Sequence, residues 1–285
     1  MVWQRDRSSL HEPTLDEGKL GVVKLALTSR EGCPEVDLDD LGDGPALVLI
    51  HGGPGLDRSY FRPWFDAMAV TRRVVSWDLS RTCERSVSAW SRELFGVMDA
   101  LSIETADVLG HSFGATVAVA AALEESARVR SLVLVSPPSL GPNRNQLAHV
   151  LSRGTREQIA GFVGFRATTQ AAFDAHWRLM LPLYFAQATS PHLEALSAMT
   201  VDLEVWKDGV ASLDGATIAS QLSRLAAPTL VCGGMHDWLS DADVIAGWTA
   251  RLPNARQHVF SQSAHFAFME EPELFLRVIR GFLAR

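Results

Sequence analysis

The nine residues Asp107-Val-Leu-Gly110-His-Ser112-Phe-Gly114-Ala115 lead directly into an alanine-rich run ending at Leu123, and this stretch restricts the possible folds most. An apolar strand that turns at once into a helix leaves no room for side chains inside the bend. Residues without a Cβ are needed there, and Gly110 and Gly114 stand two positions either side of Ser112. The spacing predicts a strand, a sharp turn and a helix, with Ser112 at the apex. Such a turn lifts the hydroxyl clear of a sheet and sets it at a helix N-terminus, where the helix dipole favours developing negative charge. The apolar run before the turn and the helical run after it are the context that separates this pattern from a chance glycine-rich loop.

Other buried-strand patterns recur at helix-length intervals. Gly21–Thr28 and Pro34–Leu41 are β-prone, and Ala46–Ile50 is a continuous apolar run between Gly44-Pro45 and His51-Gly52-Gly53. Arg73–Trp77, Ser131–Val135, Pro228–Cys232 and Gln257–Phe260 continue the series. Helical stretches are expected around Tyr60–Val70, over Ser88–Leu101 and over Pro272–Ala284. Strands separated by helices imply an α/β fold with a parallel sheet covered on both faces. The rhythm stops at Pro137-Pro138. Residues 141–215 carry helical patterns instead, rich in bulky apolar side chains that include Phe162, Phe165, Phe173, Trp177, Tyr184, Phe185 and Trp206. Most of these are expected to pack against the core. Trp177, Tyr184, Phe185 and Trp206 are the candidates for facing a ligand.

A net charge of −7 leaves no surplus of Lys and Arg to neutralise phosphates, so nucleic acid is not an expected partner, nor is an anionic lipid surface. No run approaches the roughly 18 apolar residues of a membrane span. The first 17 residues are polar and mix charges without an apolar signal segment. The three cysteines, Cys33, Cys83 and Cys232, are odd in number and lack framework spacing. They are expected as thiols in a cytoplasmic protein. The nine histidines show no metal-ligand spacing, and no dinucleotide or Walker-type glycine pattern occurs, so no metal or cofactor is expected.

A serine hydroxyl needs a base within hydrogen-bond reach, itself oriented by a carboxylate. After a turn of this kind the expected chain order is serine, acid, histidine. Asp237 follows the strand ending at Cys232, and His265 follows the strand ending at Phe260. Both therefore fall on loops at the carboxyl edge of the sheet, where Ser112 also lies and where ligands bind in open α/β sheets. His236 is the decoy base, Asp241 and Asp243 are fallback acids, and His111 is expected to point away from the serine hydroxyl. Attack by serine creates an oxyanion that needs fixed N–H donors. Phe113, directly after Ser112, supplies one. Gly53, with Gly52 behind it, is the choice for the other, in the loop His51-Gly-Gly-Pro-Gly55.

Together Gly110-His-Ser112-Phe-Gly114, Asp237, His265 and His51-Gly-Gly-Pro-Gly55 resemble the α/β-hydrolase superfamily, and the last motif resembles its proline iminopeptidase-like branch. The resemblance covers residues 40–140 and 216–285. It implies an α/β-hydrolase fold, a mostly parallel sheet flanked by helices, with core residues 1–140 and 216–285 and a helical cap insertion over 141–215. The implied activity is cofactor-independent serine hydrolysis of a small ester, lactone or amide with an apolar part. A proline iminopeptidase, a non-hydrolytic cyclase or lyase, and a small-molecule receptor are the alternatives. That branch usually carries Asp-Gln-Arg-Gly-x-Gly-x-Ser after the next strand, and a Trp after the nucleophile. This chain has Asp78-Leu-Ser-Arg81-Thr-Cys-Glu-Arg85-Ser86 and Phe113. An iminopeptidase also needs carboxylates for the substrate ammonium, for which Asp174, Glu194, Asp202 and Glu204 are available.

Overall fold

The computed structural model describes residues 21–25 and 36–284, apart from residues 144, 167, 198 and 200. The expectations for the first 17 residues, for residues 26–28 and for Cys33 fall outside these. Among the described residues eight strands form one sheet: β1 (Gly21–Leu25), β2 (Val36–Leu41), β3 (Ala46–Ile50), β4 (Arg73–Trp77), β5 (Ala106–His111), β6 (Val129–Val135), β7 (Thr229–Gly234) and β8 (Ala255–Phe260). Their spatial order is β1-β2-β4-β3-β5-β6-β7-β8. β1 and β2 pair antiparallel, β2 meets β4 antiparallel, and every pairing from β4 to β8 is parallel. The chain leaves β3 towards β4 and returns on the other side to β5. The loops after β3 and β5 therefore diverge at a topological switch point, the place where ligands bind in open α/β sheets.

Alternation along the strands sorts the core into two layers. Val48, Ile50, Val75, Trp77, Val108, Leu132 and Leu134 pack on one face with Trp90, Leu94, Val117, Ile245 and Trp248. Leu47, Leu49, Val74, Leu109, Val133 and Leu230 point to the other, against Phe65, Phe268, Phe275 and Ile279. The first layer is built by α1 (Val87–Ala100), α2 (Phe113–Glu124) and α9 (Ala242–Thr249). The second includes the short α10 (Ala267–Glu270) and α11 (Pro272–Leu283), whose buried Phe275, Ile279, Phe282 and Leu283 follow helical spacing. Each large side chain so buried contributes about 1.5–3 kcal/mol. Helix α2 is buried on nearly every side, which is why its run of alanines shows no polar stripe. Small side chains let it lie close against β5 and β6.

Between β6 and β7 the described residues form only helices: α3 (Gln146–Arg153), α4 (Arg156–Gly164), α5 (Gln170–Met180), α6 (Ser190–Ser197), α7 (Leu203–Ala211) and α8 (Gly215–Gln221). Two expectations need correction. Tyr60–Val70 is not one helix but two short 3-10 turns, Arg58–Phe61 and Asp66–Val70. Pro63 breaks it, because the residue before a proline is forced out of the helical region, and Arg62 is extended at φ −98°, ψ 143°. Cys83, expected as a thiol, is disulfide-bonded. That removes the ground on which a reducing compartment was inferred from cysteine usage. Cys232 is a free, buried thiol. No described helix is long and apolar enough to cross a membrane.

Glu93 on α1 ties the strand before the 78–86 segment to the helix after it. Its carboxylate accepts from Trp77 Nε1–H (2.7 Å) and from the Ser80 N–H (3.1 Å). Burial pushes its pKa up to about 7 despite these two donors. An unfolded glutamate titrates near about 4.3, so the native state binds the proton more tightly and loses stability as pH rises between the two values. Glu93→Gln keeps an acceptor and removes the charge. It should be more stable than the wild type at pH 8, by on the order of 3–4 kcal/mol, with the gain shrinking towards pH 5. Denaturant titrations at both pH values measure this; a difference that does not change with pH would contradict it.

Candidate active site

The bend between β5 and α2 is built as tightly as the glycine spacing requires. Ser112 caps α2 with a left-handed φ of 53° and ψ of −121°. Such a backbone costs about 1–3 kcal/mol in a non-glycine residue and persists only where its surroundings impose it. They do so here by close approach on both sides. A Cβ on Gly110 would lie 2.3 Å from the Gly114 carbonyl oxygen, and one on Gly114 would lie 2.3 Å from that of Ile50. The Ser112 N–H donates to the Val135 carbonyl (2.8 Å), anchoring the apex to the end of β6.

The loops after β7 and β8 bring Asp237 and His265 together. His265 Nδ1 lies 2.7 Å from Asp237 Oδ2, with both side chains buried. A carboxylate only accepts, so Nδ1 carries a proton, which leaves Nε2 as the nitrogen that can serve as the base. Asp237 Oδ1 accepts from the Leu239 N–H (2.9 Å). Burial opposes ionisation of Asp237, but His265 and the Leu239 and Ser240 N–H groups outweigh it and hold the carboxyl below its ordinary pKa. The His265 N–H donates to the Tyr184 carbonyl (3.0 Å), and the His265 carbonyl accepts from His111 Nε2 (3.0 Å) and Ser136 Oγ (3.2 Å). His111 precedes Ser112, so the serine turn and the imidazole loop are in direct contact.

The loop after β3 runs beside the serine: a Cβ on Gly52 would sit 2.8 Å from Ser112 Cβ. Gly52 N–H is already committed to Tyr60 Oη (2.5 Å), which leaves Gly53 as the candidate donor in this loop. Gly53 adopts φ 44° and Gly55 φ 87°. At the first position of α2, Phe113 N–H has no intrahelical acceptor. His51 is buried and holds the loop from within: Nδ1 bonds the Gly52 carbonyl (3.0 Å), and Nε2 accepts from the Leu79 N–H (3.0 Å). Helix α7 sits on this loop. Asp202 N–H donates to the Gly55 carbonyl (2.9 Å), and a Cβ on Gly209 would lie 2.3 Å from Pro54 Cβ.

The four aromatic candidates separate. Tyr184 meets the His265 ring edge-on at 5.4 Å, and Trp177 packs on Tyr184 at 5.2 Å. Phe185 is wholly buried, stacked between His192 (4.9 Å) and Phe266 (5.3 Å), and serves the core. Trp206 lies against Phe173 (5.1 Å) and Phe165 (6.3 Å). Trp177 also lines a cleft of about 260 Å³ with Asp174, Arg178 and Asp202. Of the other carboxylates, Glu194 is exposed and Glu204 pairs with Lys207 (2.8 Å). His236 is exposed, Asp241 caps α9, and Asp243 shares Asn145 with it (3.0 and 3.1 Å). Among the described residues no three or more His, Cys, Asp or Glu side chains gather as a metal site.

Three residues around the site carried no sequence signal. Tyr60 lay inside a stretch read as helix. Glu270 accepts from Ala186 (2.8 Å), Gln187 (3.1 Å) and Ala264 (2.7 Å) N–H groups, joining the helical insertion to the residue before His265. Arg153 donates to the His236 (2.8 Å) and Phe185 (2.7 Å) carbonyls, joining the same segment to the acid loop. Glu270 and Arg153 act on backbone groups up to 84 and 83 residues away, and Tyr60 reaches His111 51 residues on, contacts that no local pattern reveals.

Comparison with known proteins identifies the family. The family model described as alpha/beta hydrolase fold matches residues 45–272. The 2-hydroxymuconate semialdehyde hydrolase of Pseudomonas sp. (strain CF600) is 32% identical over 87% of this chain and 90% of its own length. The proline iminopeptidase of Heyndrickxia coagulans is 27% identical over 86% and 92%. The solved structure of the 2-hydroxy-6-oxo-6-phenylhexa-2,4-dienoate hydrolase from Rhodococcus sp. strain RHA1 superposes with a TM-score of 0.70 over 93% of this chain and all of that one, at 19% identity, a likeness of fold. The chain belongs to the alpha/beta hydrolase family, and its relatives are hydrolases.

Proposed function

We propose that this protein is a serine hydrolase acting on the carbonyl of a small ester, lactone or amide with an apolar part. The observation that carries the reading is the buried 2.7 Å His265–Asp237 hydrogen bond on the sheet edge that also carries the strained Ser112 turn. Ser112 attacks the carbonyl and passes its proton to His265 Nε2, while Asp237 fixes the tautomer and stabilises the imidazolium. The Phe113 and Gly53 N–H groups receive the oxyanion. His265 returns the proton to the leaving group and then activates the water that releases the acyl group. The helical insertion acts as a cap, with Tyr184 and Trp177 as the substrate wall. An apolar wall beside the imidazole favours an apolar acyl or leaving group and excludes water from the first step.

A second reading is hydrolysis of a carbon–carbon bond in a dienoate ketone. Its support is the 32% identity to the 2-hydroxymuconate semialdehyde hydrolase across most of both chains. The same serine would attack a ketone, and the leaving carbon would need conjugation to carry its charge. The proline iminopeptidase reading has Asp174 and Asp202 beside Trp177 as candidate ammonium partners. The altered segment Asp78–Ser86 and Phe113 in place of Trp weigh against it.

Three measurements follow. On a panel of p-nitrophenyl esters, a prolyl p-nitroanilide and a 2-hydroxy-6-oxo-dienoate, turnover should be highest on a short-chain ester. Preference for the dienoate or the prolyl amide would shift the assignment to the corresponding reading. Ser112→Ala should lose at least about a thousandfold in kcat with its fold intact. Asp237→Asn, which keeps the shape but frees the wrong tautomer of His265, should lose roughly a thousand- to ten-thousandfold. A variant of either kind that keeps most of its activity would remove the mechanism.

A further inference from the structure

Three loops meet behind Ser112, and one phenol binds the chain of groups that joins them. Tyr60 is wholly buried in the turn Arg58–Phe61. Its oxygen accepts from the Gly52 N–H (2.5 Å) and lies 2.8 Å from His111 Nδ1. On the far side of that ring, His111 Nε2 lies 3.0 Å from the His265 carbonyl. A carbonyl only accepts, so Nε2 carries the proton. Burial, reinforced by the neighbouring His265, holds the His111 pKa well below that of an ordinary imidazole. The ring is therefore neutral, Nδ1 is bare, and Tyr60 donates to it. Burial also pushes the Tyr60 phenol far above its usual range, so the donated proton stays in place. The hydrogen bonds run in one direction, from Gly52 N–H to Tyr60, from Tyr60 O–H to His111, and from His111 Nε2–H to the His265 carbonyl.

Each end of this relay touches a group that the chemistry needs held still. At one end, fixing the Gly52 N–H holds the His51–Gly52 peptide, one residue before Gly53, whose N–H is the oxyanion donor in the proposed mechanism. At the other, the His265 carbonyl is fixed by His111 while the His265 N–H is fixed by the Tyr184 carbonyl (3.0 Å). Resting on the reading of Ser112 as the nucleophile, we propose that Tyr60 is a positioning residue. Through neutral His111 it aligns the oxyanion donor with the catalytic imidazole. It touches no reacting atom. Its ring packs against Phe61 (4.7 Å), Phe266 (5.7 Å) and Phe268 (6.1 Å), and phenylalanine would satisfy those contacts equally well. What phenylalanine cannot do is partner the Gly52 N–H and His111 Nδ1, both enclosed away from water.

Tyr60→Phe tests this. On an ester substrate kcat should fall about ten- to a hundredfold with KM nearly unchanged, because the loss is one of alignment at the reacting atoms. The rate of Ser112 labelling by a fluorophosphonate should fall by a similar factor, with the circular dichroism spectrum retained. A variant labelled and turning over at the wild-type rate overturns the proposal, as does one whose only change is a raised KM. Nitrogen-15 NMR of the His111 ring in the wild-type protein reads the relay directly and does not depend on the variant folding. A neutral ring protonated at Nε2 supports it; a ring protonated at Nδ1, or charged near neutral pH, overturns it. If the wild type is not labelled at all, the nucleophile reading fails by itself and the proposed role falls with it, whereas normal wild-type labelling with an unchanged variant rate removes the relay alone.

Discussion

The absence of a side chain at Gly114 is the constraint from which the site is built. Helix α2 begins so close to the end of β3 that a Cβ there would lie 2.3 Å from the Ile50 carbonyl and 2.5 Å from that of His51. This contact places the turn after β5 directly beside the loop after β3. At its apex Ser112 holds a left-handed φ, and the Phe113 N–H at the start of α2 has no intrahelical acceptor. The strain is retained because the apex is held from three directions: Val135 accepts from the Ser112 N–H, Gly110 packs under Gly114, and Gly52 fits against the serine Cβ. A looser bend would cost less and would not present the hydroxyl, which is the general logic of strain stored at a functional site.

Much of this was legible from residues alone, for a physical reason. Buried parallel strands must be apolar throughout, so Ala46–Ile50, Ser131–Val135 and Pro228–Cys232 stood out, and β3, β6 and β7 include them almost residue for residue. The glycines around Ser112 were legible because a backbone clash admits no other residue type. Asp237 and His265 were legible only as positions at strand ends in the right order. Their 2.7 Å contact is tertiary, 28 residues apart, and no local pattern contains it. The helix expected over Tyr60–Val70 failed at Pro63, whose effect on Arg62 is itself a local rule that the apolar periodicity concealed. Asp241, a fallback acid on chain order alone, is instead the cap of helix α9, its carboxylate accepting from the Val244 N–H (3.0 Å).

The helical insertion shows where sequence reading ends. Its aromatics are alike in composition, yet Phe185 is core, Trp206 packs on Phe173, and Tyr184 faces the His265 ring. Which role each takes is set by how the segment 184–187 is strapped down. His265 N–H reaches the Tyr184 carbonyl, Glu270 gathers the Ala186, Gln187 and Ala264 N–H groups, and Arg153 draws the Phe185 carbonyl towards His236. These bonds use backbone atoms at one end, so the identities of the residues they fix carry no trace of them. They also join the insertion directly to the residues on either side of the His265 imidazole.

In the proposed mechanism Ser112 is made nucleophilic by His265, itself oriented by Asp237. Peptide mapping by mass spectrometry after treatment with a fluorophosphonate tests it most directly, because the reagent reports an activated serine whatever the natural substrate. A single adduct on Ser112 is expected in the wild-type protein and none in His265→Ala under the same conditions. An unmodified Ser112, an adduct on another residue, or equal labelling without the imidazole would contradict it.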